Sequence, residues 1–487
     1  MRIYLLNPPY FPHFGRGMRW QDTGRGGTLY YPIWLAYAAA ILEQANDVRL
    51  VDAPAWKWEL SAVIADIQKY SPELTVIDSS FPSLKNDISV AGAIKKAIPY
   101  TKIVLVGPPT SQYADRILQS PGVDIVARLE YDLTLKDLAE NLSNNRDYQK
   151  LSGISFKSAT GIIHSPDRPF TTDADLDAIP FVSKVYKKHL HIKNYFLGNS
   201  LYPEVQIFAG RGCPFQCTFC AWPQTLMGHK YRVRSINNIL DEMEWIQSEL
   251  PQVKEVFLED DTFPIDEKRV NDFCEGYKKR KLKITWSCNA RVGLQCDTMK
   301  MMSSSNCRLL IVGFESGNDQ ILKNIKKGIS VASALAFAGE VKKSGLLLLA
   351  DFIIGLPGET VDTIAQTRDF IKKVKPDLLQ VSVASPFPGT EFYAWAKANK
   401  YLTTEDPTEY LDSRGHQKAV ISYPQLDSDM ITNYVDLILK EHYLSPSFIP
   451  ILLRQIIRKN GLDEITRLFI LIKEFTRYLM TSNKSRR

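Results

Sequence analysis

The sequence predicts an α/β protein: two successive strand–helix units followed by a helical C-terminal extension. Three observations carry this expectation. Short apolar runs alternate with helical patterns through residues 1–140. The alternation resumes over residues 201–400 with six further strand-like runs. From residue 448 onward only amphipathic helical patterns remain. A chain of 487 residues is expected to divide into two or three domains. Its 45% apolar and 23% charged residues are ordinary globular values, which exclude disordered and fibrous classes.

In the first unit Ile3-Tyr4-Leu5-Leu6 reads as a buried strand ended by Asn7-Pro8-Pro9, with a helix near Ile33–Gln44. Val48–Val51, Leu74–Ile77 and Ile103–Val106 follow, each closed by Asp, Gly or Pro. Strands that are apolar throughout and alternate with helices mean a parallel sheet covered on both faces. Ligands of such sheets lie beyond the strand carboxyl ends. No G-x-G-x-x-G occurs, so a dinucleotide is disfavoured. Residues 1–145 are assigned to this unit and 146–200 to a polar connector. The connector holds Pro166, Pro169, Pro180 and a hairpin-like piece from Gly153 to Ile163. The second unit, 201–400, has strand-like runs at Val205–Phe208, Glu255–Leu258, Ile284–Cys288, Leu309–Phe314, Leu348–Ile354 and Leu379–Val383. Residues 401–487 form the helical region.

The sharpest signal is Cys213, Cys217 and Cys220, spaced C-x3-C-x2-C just after the first strand of the second unit. Three thiolates on one tight loop can hold three irons of a [4Fe–4S] cube and leave the fourth iron open. Zinc would want a fourth ligand, and the nearest His, His229, has no partner at zinc spacing. Cys274, Cys288, Cys296 and Cys307 are scattered and read as reduced core thiols rather than a disulfide framework.

The cysteine run, with Phe219 before its last Cys, resembles the signature of the radical S-adenosylmethionine (SAM) enzymes. That resemblance implies a partial (β/α)6 barrel of TIM type and a cluster whose open iron chelates SAM. An electron from the cluster then cleaves SAM to a 5′-deoxyadenosyl radical. The Cys residues would be both metal ligands and catalytic. Further elements fall in order at the strand ends. Glu259-Asp260-Asp261 could accept from SAM's ammonium, although Asp also caps helices. Arg291 would reach SAM's carboxylate. Glu315 and Ser316 resemble the family's ribose- and methionine-contacting pair. Asp351 through Glu359, with Gly355, resembles its G-x-I-x-G-x-x-E element on the adenine, with Asp351 replacing the first Gly. Ser385-Pro386-Phe387-Pro388-Gly389 matches the family's sixth strand end.

Residues 1–145 resemble the Rossmann-like, flavodoxin-like cobalamin (B12)-binding domain that precedes many radical SAM barrels. The matching stretches are Asn7-Pro8-Pro9, Tyr31–Tyr37, Val51-Asp52-Ala53, Val106-Gly107-Pro108-Pro109 and Asp124–Glu130. Asn7, Pro8, Pro9, Gly107 and Pro108 are the cofactor-side candidates. The D-x-H-x-x-G motif that ligates cobalt is absent, which implies cobalamin held without a His ligand or a domain that only caps the barrel. Ala221–Gln224, Gly228–Arg232, Met18–Gln21 and Tyr30–Trp34 look like the branch that tailors hopanoids and other membrane lipids. Tyr231 or Tyr393 could donate a hydrogen or orient substrate.

The net charge of +6 is located in the tail. Residues 445–487 hold nine Lys or Arg against three acids, an excess equal to the chain's own. Two amphipathic helices are expected there, at Phe448–Lys459 and Asp463–Met480, with Ser447 and Asp463 as N-caps and Gly461 as a stop. Ile465, Leu468, Phe469, Ile472, Phe475 and Leu479 form one stripe that either packs on the barrel or lies on an anionic membrane. No apolar stretch is long enough to span a bilayer and the N-terminus reads as a strand, so cytoplasm is expected, peripheral to the membrane if the tail docks.

The leading function is therefore radical methylation, or carbon-skeleton or ring rearrangement, of a lipid or isoprenoid-type substrate. It would use a [4Fe–4S] cluster, SAM and cobalamin, with an electron donor such as flavodoxin or ferredoxin. A tRNA methylthiotransferase is disfavoured because no Cys precedes 213 and no small RNA-binding barrel follows; nucleic acid is not expected as a partner. A non-catalytic corrinoid- or lipid-binding protein with an inactive barrel is the alternative of a different class.

Overall fold

The computed structural model describes residues 1–482 except Met18, Trp20 and Lys459, and leaves aside the side chains of Phe475 and residues 477–482. The N-terminal sheet contains β1 (Arg2–Asn7), β2 (Asp47–Asp52), β3 (Leu74–Asp78), β4 (Lys102–Val106), β5 (Ile125–Ala127), β6 (Ile154–Ser158) and β7 (Gly161–His164). Their order is β2-β1-β3-β4-β5-β6-β7, with the first five parallel and the last two antiparallel. The hairpin placed by the sequence in the connector thus pairs with β5, and the sheet continues past residue 145. The physical reason is edge pairing: β5 is short, and Ile154 and Phe156 are buried against it. The order of the parallel strands runs outward in opposite senses from β1 and β3, a switch point that places a crevice beyond their carboxyl ends.

One face of this sheet packs on helices Leu60–Tyr70, Leu84–Ala97 and Thr110–Gln119 through Tyr4, Leu6, Ile77, Ile94, Leu105 and Ile117. The other packs on helices Ile33–Leu42 and Asp132–Ser143, and that core runs on without a break into the second unit. Every residue of Ile33–Leu42 is buried, as a helix covered on all sides requires. Tyr37 Oη accepts the Phe208 amide at 2.8 Å, and the Arg211 guanidinium lies 4.6 Å from the Trp34 ring centre. Arg211 also pairs with Asp132 at 2.7 Å, both fully buried, and Arg232 with Glu130 at 2.7 Å. These ion pairs join the two units, and removing one partner would strand a buried charge.

The second unit comprises β8 (Glu204–Ile207), a ribbon of β9 (Gly210–Arg211) with β10 (Arg232–Val233), β11 (Glu255–Leu258), β12 (Thr285–Ala290), β13 (Cys307–Glu315), β14 (Leu347–Ile354) and β15 (Leu378–Val383). Six of these strands form one parallel sheet in order β15-β14-β13-β12-β11-β8. This is the six-strand half-barrel expected from the sequence. Alternation along the strands sends Val256, Leu310, Val312, Leu348 and Val381 toward the outer helices. Phe257, Leu309, Ile311, Leu347, Leu349 and Leu378 point inward, where Leu197 and Tyr30 fill the floor.

The tail differs from expectation. Its helices are Phe448–Ile456 and Gly461–Ser482, so Gly461 opens the second helix rather than ending the first. Ser447 makes no side-chain cap, and Asp463 sits in the first turn. The predicted stripe is split: Leu468 is buried while Ile465, Phe469 and Ile472 face outward. Phe475 and Leu479 lie outside the described side chains. The face turned to the barrel is polar instead. Glu464 receives Arg308 and Arg467, each at 2.8 Å, and Gln455 donates to the Asp377 carbonyl at 2.8 Å. These partners are supplied at the amino ends of the barrel strands, which hydropathy alone does not show. No described helix is long and apolar enough to cross a membrane.

Candidate functional site

The cysteine loop begins where β8 ends. Gly212 has φ +88°, and a Cβ there would overlap the Lys230 carbonyl, so the loop needs Gly to pass under the following segment. The loop is then held by its backbone. The Gln224 amide donates to the Cys220 carbonyl at 2.8 Å and to those of Cys217 and Thr218 at 3.3 Å. The Thr218 amide donates to Ile325 O at 3.1 Å, and the Thr218 carbonyl accepts from Phe392 at 3.0 Å. None of the cysteines is in a disulfide. Among the described residues no three His, Cys, Asp or Glu side chains converge as ligands of a single metal ion.

Burial, then the Asp261 carboxylate, pushes the Cys213 thiol up to about 11 and the Cys220 thiol well above its ordinary value. A metal centre's positive charge is what would turn such thiols into thiolate ligands. The Arg291 guanidinium stands 3.5 Å from Cys217 Sγ and 3.6 Å from the Phe215 ring centre. The loop therefore offers three soft donors with a cation beside them. That donor set fits an iron–sulfur cluster.

Across the barrel mouth lies a cluster of carboxylates. Glu259 and Asp261, beyond β11, are both gripped by Arg19, at 3.4 and 2.7 Å. Glu315 pairs with Lys327 at 2.6 Å, both buried. Glu315 has φ +66°, and a Cβ on Gly313 would meet Lys327 Nζ at 2.8 Å. Asp351 shares the inward face of β14 with Leu347 and Leu349. Burial, then Glu315, raises its carboxyl well above the usual range. Burial likewise pushes Glu259 up to about 8. Glu259 Oε2, Asp261 Oδ2 and Asp351 Oδ1 are buried oxygens with no hydrogen-bond donor. Four acids against Arg19 and Lys327 leave unmatched acceptor capacity, which fits a ligand carrying an ammonium and a sulfonium. Arg291 would meet its carboxylate.

Other predicted residues are turned to structural work. Asp260 accepts from Ala209 N at 2.6 Å and from Tyr231 Oη at 2.5 Å, so strand alternation points it away from Glu259 and Asp261. Tyr231 is thereby committed to Asp260. Helix capping falls to Asp266, which accepts from Arg269 N at 3.1 Å, not to the acidic trio. Glu359 accepts from the Gly355 and Leu356 amides of its own turn. Ser316 Oγ accepts from Asn318 N at 3.3 Å. Phe219 packs against the core. Arg19 and Lys327 were missed. Arg19 lies 240 residues from Glu259, and nothing local in sequence marks either residue.

Beyond the N-terminal sheet, Asn7 is tied inward, donating to Asp52 and accepting from Arg16, both at 2.8 Å. Arg16 also donates to Pro8 O at 2.7 Å and pairs with Asp87 at 2.6 Å. Burial raises Asp78 to about 7. Gly107 has φ +108°, and a Cβ there would overlap the Ser79 carbonyl oxygen. Pro108 follows it at the same strand end, and Pro9 O accepts from Asn86 at 2.9 Å. The Ser111 and Tyr131 hydroxyls are buried without partners, and a polar cleft of about 530 Å³ opens beside Ser111, Gln112, Arg128 and His164. Bare backbone, orphaned hydroxyls and a polar cleft fit the amide-rich rim of a corrin.

The radical SAM superfamily profile matches residues 207–371, and the B12-binding domain profile matches residues 23–139. A protein described as an uncharacterized methyltransferase of Pyrococcus horikoshii is 30% identical over 413 residues, covering 84% of this chain and 86% of that protein. The chain belongs to the cobalamin-dependent radical SAM methyltransferase family. It is an enzyme family, and its cofactors are a [4Fe–4S] cluster, SAM and cobalamin. The anaerobic magnesium-protoporphyrin IX monomethyl ester cyclase of Synechocystis is 24% identical, covering 82% of this chain and 78% of that protein. The hopanoid C-3 methylase of Methylococcus capsulatus is 24% identical, covering 77% and 70%. The solved structure of the radical SAM methyltransferase TsrM from Kitasatospora setae, with cobalamin and [4Fe–4S] bound, shares the fold at TM-score 0.70 and 14% identity, covering 97% of this chain and 98% of that one.

Proposed function

We propose that this protein methylates an unactivated carbon of a lipid- or isoprenoid-type small molecule held between its two α/β units. One observation carries the reading: the ends of both sheets meet. Gln112, beyond β4, reaches Gly389 after β15, and Thr225 after the cysteine loop lies against the same glycine. Phe81 of the first unit stacks on Phe387 of the second at 5.2 Å, and Phe387 on Tyr410 at 5.8 Å. When bound, the cluster with SAM supplies a hydrogen-abstracting radical, and cobalamin supplies the methyl group.

The chain's own residues bind, orient and exclude water. Cys213, Cys217 and Cys220 would hold the cluster. Glu259, Asp261 and Arg291 would orient SAM, and the Glu315–Lys327 pair would fix the floor beneath it. Gly107 would let cobalamin lie on backbone. The aromatic layer would exclude water from the junction, which strengthens the polar contacts that orient the reactants there. The apolar substrate class draws on that layer and on the hopanoid methylase relative. A small reduced protein such as flavodoxin or ferredoxin would deliver the electron.

The cyclase relative supports a second reading, ring formation without methyl transfer. Product analysis separates them. Reconstituted enzyme with SAM, reductant and a membrane-lipid extract should yield S-adenosylhomocysteine together with 5′-deoxyadenosine, and a lipid heavier by one methylene. 5′-Deoxyadenosine without S-adenosylhomocysteine would overturn methylation in favour of rearrangement. The Cys217→Ala protein should yield neither nucleoside product and should bind less iron.

A further inference from the structure

The two tail helices are built inside out. Their polar side chains are buried: Glu464 is 1% exposed, Arg467 0% and Gln455 1%. Their large apolar side chains face outward: Ile449 57%, Leu453 50%, Ile457 81%, Leu462 84%, Phe469 71% and Ile472 59%. In the last helix Leu462, Ile465, Phe469 and Ile472 fall at steps of three and four residues, which is one continuous stripe. The orientation is fixed rather than accidental. Arg467 donates to Glu464 and Gln455 at 2.8 Å and to the Gly198 carbonyl at 2.5 Å, and Arg454 donates to the Leu346 carbonyl at 3.1 Å. Rotating either helix to hide the stripe would break this buried network and leave charges unpaired.

We infer that this stripe is a docking surface for an anionic lipid bilayer. The charge around it decides the occupant. Lys473 is exposed beside Ile472, and Arg458 follows Ile457. The segment carries nine cations against three acids, and Arg467 and Glu464 neutralise each other inside, which leaves eight against two. A second copy docking face to face would bring like charges together. An anionic membrane surface neutralises them while covering the apolar stripe, the arrangement of interfacial helices. The helices attach at the amino ends of the barrel strands, opposite the cysteine loop, so docking leaves the mouth of the barrel clear. The inference rests on no reading of the substrate.

The test is co-sedimentation of the full-length holoenzyme with phosphatidylcholine vesicles, with and without phosphatidylglycerol. The comparison protein is the Ile457→Glu/Phe469→Glu variant, whose changed side chains are exposed and whose melting temperature should match the parent's. Binding is expected only to the phosphatidylglycerol vesicles, weakened by salt, and at least about tenfold weaker in the variant. Equal binding of parent and variant, or no binding by either, would overturn the inference. So would a parent that is a dimer in solution and fails to bind vesicles while the variant is a monomer, since the stripe would then be a subunit interface.

Discussion

Glu204 opens β8 at the base of the barrel, 1% exposed, and neither carboxylate oxygen has a hydrogen-bond donor. Burial outweighs everything else and, with a smaller push from the neighbouring Glu255, raises its carboxyl from 4.5 to about 8. The folded state therefore binds a proton that the unfolded chain has already released. Between these two values stability falls as pH rises. The Glu204→Gln variant lacks that titration, while every other group titrates alike in both proteins. Its stability relative to the parent should thus grow by about 2 kcal/mol from pH 6 to pH 8. With both units sharing one core, that is a widening of the melting-temperature difference by roughly 2 °C. Thermal melts followed by circular dichroism across that range measure it. A difference that stays flat with pH would refute the argument, because it would mean that Glu204 is ionised and solvated in the folded protein.

Two glycines give contrasting outcomes. Gly313→Ala would push apart the Glu315–Lys327 pair, whose atoms are the free ends of long side chains, so the fold should survive. SAM affinity of the reconstituted protein, measured by equilibrium dialysis, should fall about tenfold or more, and an unchanged affinity would remove the pair from the SAM site. Gly107→Ala meets a backbone carbonyl at φ +108°, where nothing can yield cheaply. It should cost about 1–3 kcal/mol locally and abolish retention of hydroxocobalamin on gel filtration while leaving reconstituted iron content intact. Full corrinoid retention would contradict the cradle.

Periodicity and punctuation were enough to locate both sheets, because most strands carry a short apolar run and several stop at Asp, Gly or Pro. The three cysteines were readable as a candidate cluster loop because they lie within eight residues on one loop. Asp260 was misread because three consecutive acids look equivalent in a string, whereas a strand end sends alternate side chains to opposite sides. The tail's two alternatives stayed open in the sequence for a related reason. Its stripe was visible, but which side of it is buried depends on what the barrel floor presents, and that floor presents Arg308 and open carbonyls.

The sequence by itself determined the order of units, the six-strand half-barrel and the cluster loop, all of which follow from short-range patterns. Tertiary structure alone decided that Arg19 crosses from the first unit to Glu259 and Asp261, that Lys327 answers Glu315, that Arg232 and Arg211 join the units to Glu130 and Asp132, and that the tail shows its apolar side. Each of these pairs a charge with a partner distant in the chain or outside its own strand. Burial makes such pairing obligatory, but only the packed arrangement of helices and sheets selects the partner.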